Sequence, residues 1–211
     1  MTIKLIGYAQ SLPTRRVILT LNELGLSYEL EAVTEIHTIK TEDFLANKHA
    51  FGKIPVLCDG DFTINESRAI CRYLVSKYQK NAKTVLIPDN INKVSLIEQY
   101  ISYELSYFDP PLTKILLQEV YNKRRGEPID EAVIKQAREE IEKVLDVYEK
   151  ILVGKDYLNG EYSLADLFHF PCAHYIYTAT QQGDIFDTRP NVKKWLDNLR
   201  NRDAYKKTYA E

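Results

Sequence analysis

Three short polar stretches carry side chains able to do chemistry: Ser11 in "AQSLPTRRVIL", Pro55 in "KIPVL", and the Glu66-Ser67 pair in "NESRAI". Ser11 precedes Pro13 and an amphipathic run, so its hydroxyl can either cap a helix or act on a reactant. Glu66 and Ser67 open a second helical run, where unpaired backbone N–H groups and the macrodipole favour an anion; the same two residues could simply cap that helix. Pro55 stands at the entrance of a strand, where a proline costs no ladder hydrogen bond. Other chemistries lack their residues. His37, His49, His169 and His174 form no i, i+4 pair and no H-E-x-x-H site, so no metal is expected. There is no Gly-rich phosphate loop and no G-x-S-x-G elbow. Cys58, Cys71 and Cys172 are odd in number and include no C-x-x-C pair, which argues against a disulfide framework and a dithiol redox site.

The elements that must hold these residues alternate in type at first. "IKLIGY" (3–8) reads as a buried strand, "RRVILTLNELG" (15–25) as an amphipathic helix stopped by Gly25, and "LSYELEAV" (26–33) as a second strand, together a βαβ unit. After a charged segment with helical pieces, two short strands follow within 54–65, turning at Asp59-Gly60, and then a helix over 66–78. That order suits a small sheet with helices on both faces. Residues 79–90 are polar, hold a proline and read as a linker. From Ile91 the strand signals stop, and 91–122, 130–153, 163–182 and 189–202 read as helices. The expected domains are therefore 1–80, mixed α/β, and 91–211, all-helical, joined by 81–90. "SLAD" (163–166) has the form of a capping box, with Tyr162 and Leu167 at the positions of a hydrophobic staple. Tyr100, Tyr103 and Tyr107 recur at i, i+3 and i+7, with Phe108 and Leu112 nearby, a stripe that suits a core, an interface or a pocket. Asp109-Pro110-Pro111 should interrupt this helix, because proline removes donors and clashes with the preceding turn.

Composition bounds the partners. The 211 residues are 45% hydrophobic, enough for a sizeable core. Lys plus Arg is 28 against 30 for Asp plus Glu, a formal charge of −2 with no basic footprint, so nucleic acid is not expected as a partner. The start "MTIKLIGYAQ" shows no leader pattern, and no apolar run approaches the roughly 20 residues that span a bilayer; a cytoplasmic protein with no membrane partner is expected.

Taken in order, "SLPTRRVILTLNELGLSYEL", "FGKIPVL", "ESRAICRYL", "VLDVYEKIL", "YLNGEYSLADLFHFP" and "RPNVKKWLDNL" resemble a cytosolic glutathione S-transferase, most closely the phi class, from about residue 3 to residue 204. The resemblance implies a thioredoxin-like N-terminal domain carrying a glutathione site, an all-helical C-terminal domain completing a pocket for hydrophobic electrophiles, and a homodimer. By position it implies that Ser11 acts on the glutathione sulfur and that Pro55 is cis. The Ile54 backbone would pair with the cysteinyl part of the tripeptide, and Glu66 and Ser67 would hold its γ-glutamyl end. His37 and Lys40 are the nearest candidates for the basic pair at the glycine end. Lys53, which stands where many relatives have glutamine, is expected among the glutathione-binding residues.

On this reading reduced glutathione is a co-substrate and no cofactor is needed. A free thiol with pKa around 8.5 is only about 3% thiolate at neutral pH, and the thiolate is the nucleophile. A hydroxyl at Ser11, with Thr14 as the alternative donor, would stabilise S⁻ over SH. Leu12, Tyr107, Phe108 and Leu112 are the expected lining of the electrophile pocket. Glutathione-dependent peroxidase activity, in the same detoxification chemistry, and a non-catalytic carrier of glutathione or apolar ligands are the neighbouring functions. A glutaredoxin-like thiol transferase would be expected to carry cysteine at position 11.

Overall fold

The computed structural model describes residues 2–210. The chain forms two compact units: one runs through Leu86 and takes in the segment from Asp203, and the other is Ile87–Arg202.

In the first unit, β1 (Ile3–Gly7) is followed by α1 (Leu12–Glu23) and β2 (Tyr28–Ala32). β1 and β2 pair in parallel, which requires the crossover that α1 supplies. A 3₁₀ turn over Ile36–Lys40 and α2 (Glu42–Asn47) lead to β3 (Val56–Asp59), β4 (Phe62–Asn65) and α3 (Ser67–Tyr78). The sheet order is β2-β1-β3-β4, with β3 antiparallel to both neighbours. Leu5 and Val56–Leu57 of the sheet, Val17 and Leu21 of α1, and Ile70 and Leu74 of α3 are fully buried. Each helix pair is spaced i, i+4, so one stripe per helix meets the core. α1 begins three residues before the helix expected at Arg15, because Ser11 caps it and Pro13 sits in its first turn, where a missing N–H costs nothing.

The second unit contains no strand among its described residues. Its first helix runs unbroken from α4 (Ile91–Tyr103) through a π-helical turn, Glu104–Phe108, into α5 (Asp109–Leu116), a second π turn, Leu117–Asn122, and α6 (Lys123–Arg125). The interruption expected at the two prolines takes the form of the first π turn, in which the Asp109 N–H reaches back five residues to the Glu104 carbonyl. α7 (Glu131–Ile151), α8 (Leu164–Ala179) and α9 (Pro190–Arg200) complete the unit. α8 starts with the expected capping box. Asp166 accepts from the Ser163 N–H and hydroxyl, the Leu158 N–H and Trp195 Nε1 at 2.9–3.0 Å, so one buried carboxylate ties α8 to α9 and to the loop before it.

A last helix, α10 (Asp203–Tyr209), has no counterpart in the expected elements and departs from the expected extent of the helical domain. It belongs to the first unit, packed against α1. Asn22 donates to Thr208 Oγ1 at 2.8 Å, Arg15 donates to the Thr208 carbonyl, and the Arg15 guanidinium lies 4.6 Å from the centre of the Tyr209 ring. Its apolar residues are too few to stand out in sequence, and its stability comes from docking.

Candidate active site

The sheet register brings together segments far apart in sequence. Ile6 pairs with Val56, and Val56 with Asn65. Neighbouring strands are about 4.8 Å apart, so the exit of β1, the entrance of β3 and the exit of β4 form one short edge across three strands. The chain beyond each of these points carries a residue singled out by chemistry: Ser11 after β1, Ile54–Pro55 before β3, and Glu66-Ser67 after β4. On the other side Gly7 pairs with Ala32, from which the chain passes to the 3₁₀ turn bearing His37 and Lys40. The N-termini of α1 and α3 open beside this edge and favour negative charge there.

Ser11 is half-buried, and its Oγ accepts from the Thr14 N–H at 3.3 Å, the N-cap contact of α1. Its hydroxyl donates to Thr14 Oγ1 at 2.7 Å, and Thr14 is fully buried. The Ile54–Pro55 peptide is cis, with Pro55 buried and Ile54 half-buried. Glu66 has φ 68°, the one non-glycine residue with positive φ among the described residues. Such a conformation costs of order 1–3 kcal/mol and persists where the surroundings impose it. Glu66 makes no capping hydrogen bond to α3, so its carboxylate, 72% exposed, does not serve as a helix cap. Ser67 is buried and accepts from Arg16 Nη1 at 3.0 Å. Arg16 is itself 3% exposed, a charge from α1 held beneath the first turn of α3. His49, also buried, accepts the Phe51 N–H at Nδ1, which leaves Nε2 to carry the hydrogen, 3.7 Å from Glu66 Oε1.

The basic candidates have local partners. Lys40 donates to the Phe51 and Gly52 carbonyls at 3.2 and 2.7 Å and so braces the loop that leads to Ile54–Pro55. Gly52 has φ 56°, and a Cβ there would stand 2.6 Å from the Ile39 carbonyl oxygen, so only glycine fits the brace. His37 is exposed and pairs with Glu35 at 3.2 Å; Lys53 is exposed.

Of the residues expected around an electrophile, Leu12 follows Ser11 at the start of α1 and is half-buried. Tyr107 is exposed and lines an open cavity of about 590 Å³ in the second unit with Tyr103, Lys143, Val144 and Val147. Phe108 and Leu112, expected in the same lining, are fully buried in the core of the second unit and are not among the residues around that cavity. The Phe108 ring meets His169, Tyr148 and Trp195 at 4.8, 5.6 and 6.5 Å between centroids, because the π turn rotates it onto the face packed against α7, α8 and α9. Sequence reasoning missed Arg16 and His49. Arg16 leaves one trace, a charge flanked by the buried Thr14, Val17 and Thr20 of α1; His49 leaves none, since only the fold turns it toward Glu66.

Comparison with known proteins agrees with this architecture. Residues 5–82 match the family description "Glutathione S-transferase, N-terminal domain" and residues 105–203 match "Glutathione S-transferase, C-terminal domain". The chain belongs to the glutathione S-transferase family. Its relatives are of the phi class: it is 36% identical over 199 residues to glutathione S-transferase F10 of Arabidopsis thaliana, covering 94% of this chain and 92% of that one. It is 39% identical to glutathione S-transferase hmp2 of Hypomyces subiculosus, covering 100% and 99% of the two chains. Among solved structures, glutathione transferase F2 of Populus trichocarpa superposes with a TM-score of 0.94 at 32% identity over 99% of this chain and 97% of that one. Glutathione S-transferase I of maize, solved with an atrazine glutathione conjugate, gives 0.91 at 32% identity over 100% and 97%.

Proposed function

We propose that this chain catalyses attack of the glutathione thiolate on hydrophobic electrophiles, with Ser11 as the group that stabilises the thiolate. The observation that carries this reading is the shared sheet edge set by the Ile6, Val56 and Asn65 pairings, to which Ser11, Ile54–Pro55 and Glu66-Ser67 all connect. In the reaction the thiol proton leaves to solvent, the sulfur lone pair forms the new C–S bond, and the electrophile's leaving group departs with its bonding pair. The Ser11 hydroxyl donates to S⁻ and is not itself a nucleophile. Glu66 pairs with the ligand's α-amino group, a task its strained backbone and uncapped position suit. The Ser67 hydroxyl and N–H receive the α-carboxylate over the buried Arg16 charge. The Ile54 backbone meets the cysteinyl segment, and His37, Lys40 and Lys53 supply the positive charge for the glycine carboxylate. Leu12 offers an apolar surface beside the sulfur.

Glutathione enters as substrate, and the chemistry calls for no cofactor. The active form is a homodimer in the cytosol; no described helix is long and apolar enough to cross a membrane. The test is a panel of alkyl and aryl electrophiles and organic hydroperoxides assayed with reduced glutathione. Turnover of part of the panel is expected, and glutathione binding with no turnover across it would replace the enzyme with a carrier.

A further inference from the structure

We infer that Thr14 is a positioning residue for catalysis: its buried hydroxyl sets the direction in which Ser11 donates. This rests on the reading of Ser11 as the thiolate donor. Ser11 Oγ and Thr14 Oγ1 are 2.7 Å apart, a hydrogen bond in which Ser11, when it is the donor, directs its hydrogen at Thr14. In that direction Ser11 has no hydrogen left for sulfur. A hydroxyl carries one hydrogen and two lone pairs and rotates to suit its partners, so the pair can run either way. Thr14 is fully buried, and among the described residues its hydroxyl meets only Ser11, whereas Ser11 is half-buried at the helix mouth. Reversal lets the buried hydroxyl donate to Ser11 Oγ and turns the Ser11 hydrogen outward to an incoming S⁻. No proton is transferred; two rotors turn.

The reversed chain also strengthens the donor. Ser11 Oγ already accepts the Thr14 N–H at 3.3 Å, and with the Thr14 hydroxyl it accepts two hydrogen bonds from one residue. Each polarises its O–H further, and hydrogen bonds in such a chain reinforce one another. Thr14 has no room to swing away. A Cβ on Gly7 would come within 2.7 Å of Thr14 Oγ1 and 2.9 Å of its Cγ2, so the side chain is wedged against the end of β1, and the absence of a side chain at Gly7 makes the space.

The experiment is ultraviolet titration of the bound glutathione thiolate, with conjugation rates against pH, in wild type, Thr14→Val, Thr14→Ala, Thr14→Ser and Ser11→Ala. Valine keeps the volume and alanine removes any crowding; both lack the hydroxyl. The inference expects both to raise the bound thiol's pKa by about 0.5 to 1 unit, a roughly 3- to 10-fold loss of thiolate and of rate on the acid limb, with glutathione affinity kept. Thr14→Ser should titrate as wild type, and adding Thr14→Val to Ser11→Ala should shift the thiol no further. A wild-type titration in both Thr14→Val and Thr14→Ala, or a shift in only one of them, overturns the role of Thr14. If Ser11→Ala shifts in that case, the Ser11 reading stands alone; if Ser11→Ala also titrates as wild type, the thiolate-donor reading falls with it.

Discussion

Removing the Ser11 hydroxyl separates a structural role from a chemical one, because the same oxygen caps α1 and faces the site. As a cap alone, Ser11→Ala would cost about 0.5–2 kcal/mol of stability and leave the rate intact. As the thiolate donor, it should in addition raise the bound thiol's pKa by about one to two units and slow conjugation at neutral pH on the order of 10- to 100-fold, with the rate recovering as pH rises. Thiolate absorbance of the bound complex against pH checks this. Glu66→Gln should weaken glutathione binding by about 1.5–3 kcal/mol, the worth of a hydrogen bond to a charged group. Its melting temperature should hardly change, since the exposed carboxylate caps nothing. Calorimetric titration with glutathione measures the first and thermal unfolding the second; an unchanged dissociation constant returns Glu66 to a purely structural place. Ser11, Pro55, Glu66 and Ser67 were legible because each sits at a boundary between elements, where a polar residue or a proline has a local reason to be. Thr14 was legible as a second hydroxyl one turn from Ser11, whereas Arg16 and His49 gain their meaning from neighbours across the fold.

At the scale of elements, α3 depends on both its ends. Its N-terminus faces the site, and its C-terminal half is tied to the end of β3 through Asp59, which accepts from Tyr73, Lys77 and Tyr78 at 2.8, 2.6 and 2.6 Å. Burial pushes the Asp59 carboxyl up, but hydrogen bonds from Lys77, Tyr78 and Tyr73 outweigh it and hold the carboxyl below its ordinary 3.8. A depressed native value means that the carboxylate's stabilisation is complete above the unfolded value and fades as pH falls through the native one. Asp59→Asn should therefore cost about 1–2 kcal/mol near neutral pH, the Lys77 share being small because that ammonium is solvent-exposed. The gap from wild type should close as pH drops below 3.8. Thermal melts of both proteins between neutral and acid pH measure it, and a constant gap would mean that Asp59 acts by shape alone. The aromatic stripe teaches a complementary lesson. Its period was plain in sequence, yet the π turn at Glu104–Phe108 inserts an extra residue into the helix and sends Phe108 to the core while Tyr107 stays outside.

At the scale of the whole molecule, two-fold assembly is the expected form, since soluble homo-oligomers of this size are most often dimers with a self-complementary face. Sedimentation at micromolar concentration should give about 49 kDa, twice the 24.5 kDa chain. A monomer persisting there would remove the homodimer from the proposed function and leave the chemistry at the sheet edge untouched. The first unit draws its last helix from the far end of the chain, so its integrity depends on α10 as well as on the residues before Leu86.

The amino-acid sequence by itself determined the order of the main elements through α9, the capping of α1 and α8, and the polar residues at the mouths of strands and helices, because periodicity, caps and proline act within a few residues of chain. The tertiary structure alone decided which of those residues share an edge, which face of the aromatic helix is core, and where α10 docks. Strand register couples Ile6 to Val56 and Asn65 across some sixty positions. Such pairings follow from burying one common core, a condition on the whole chain that no short stretch of it contains.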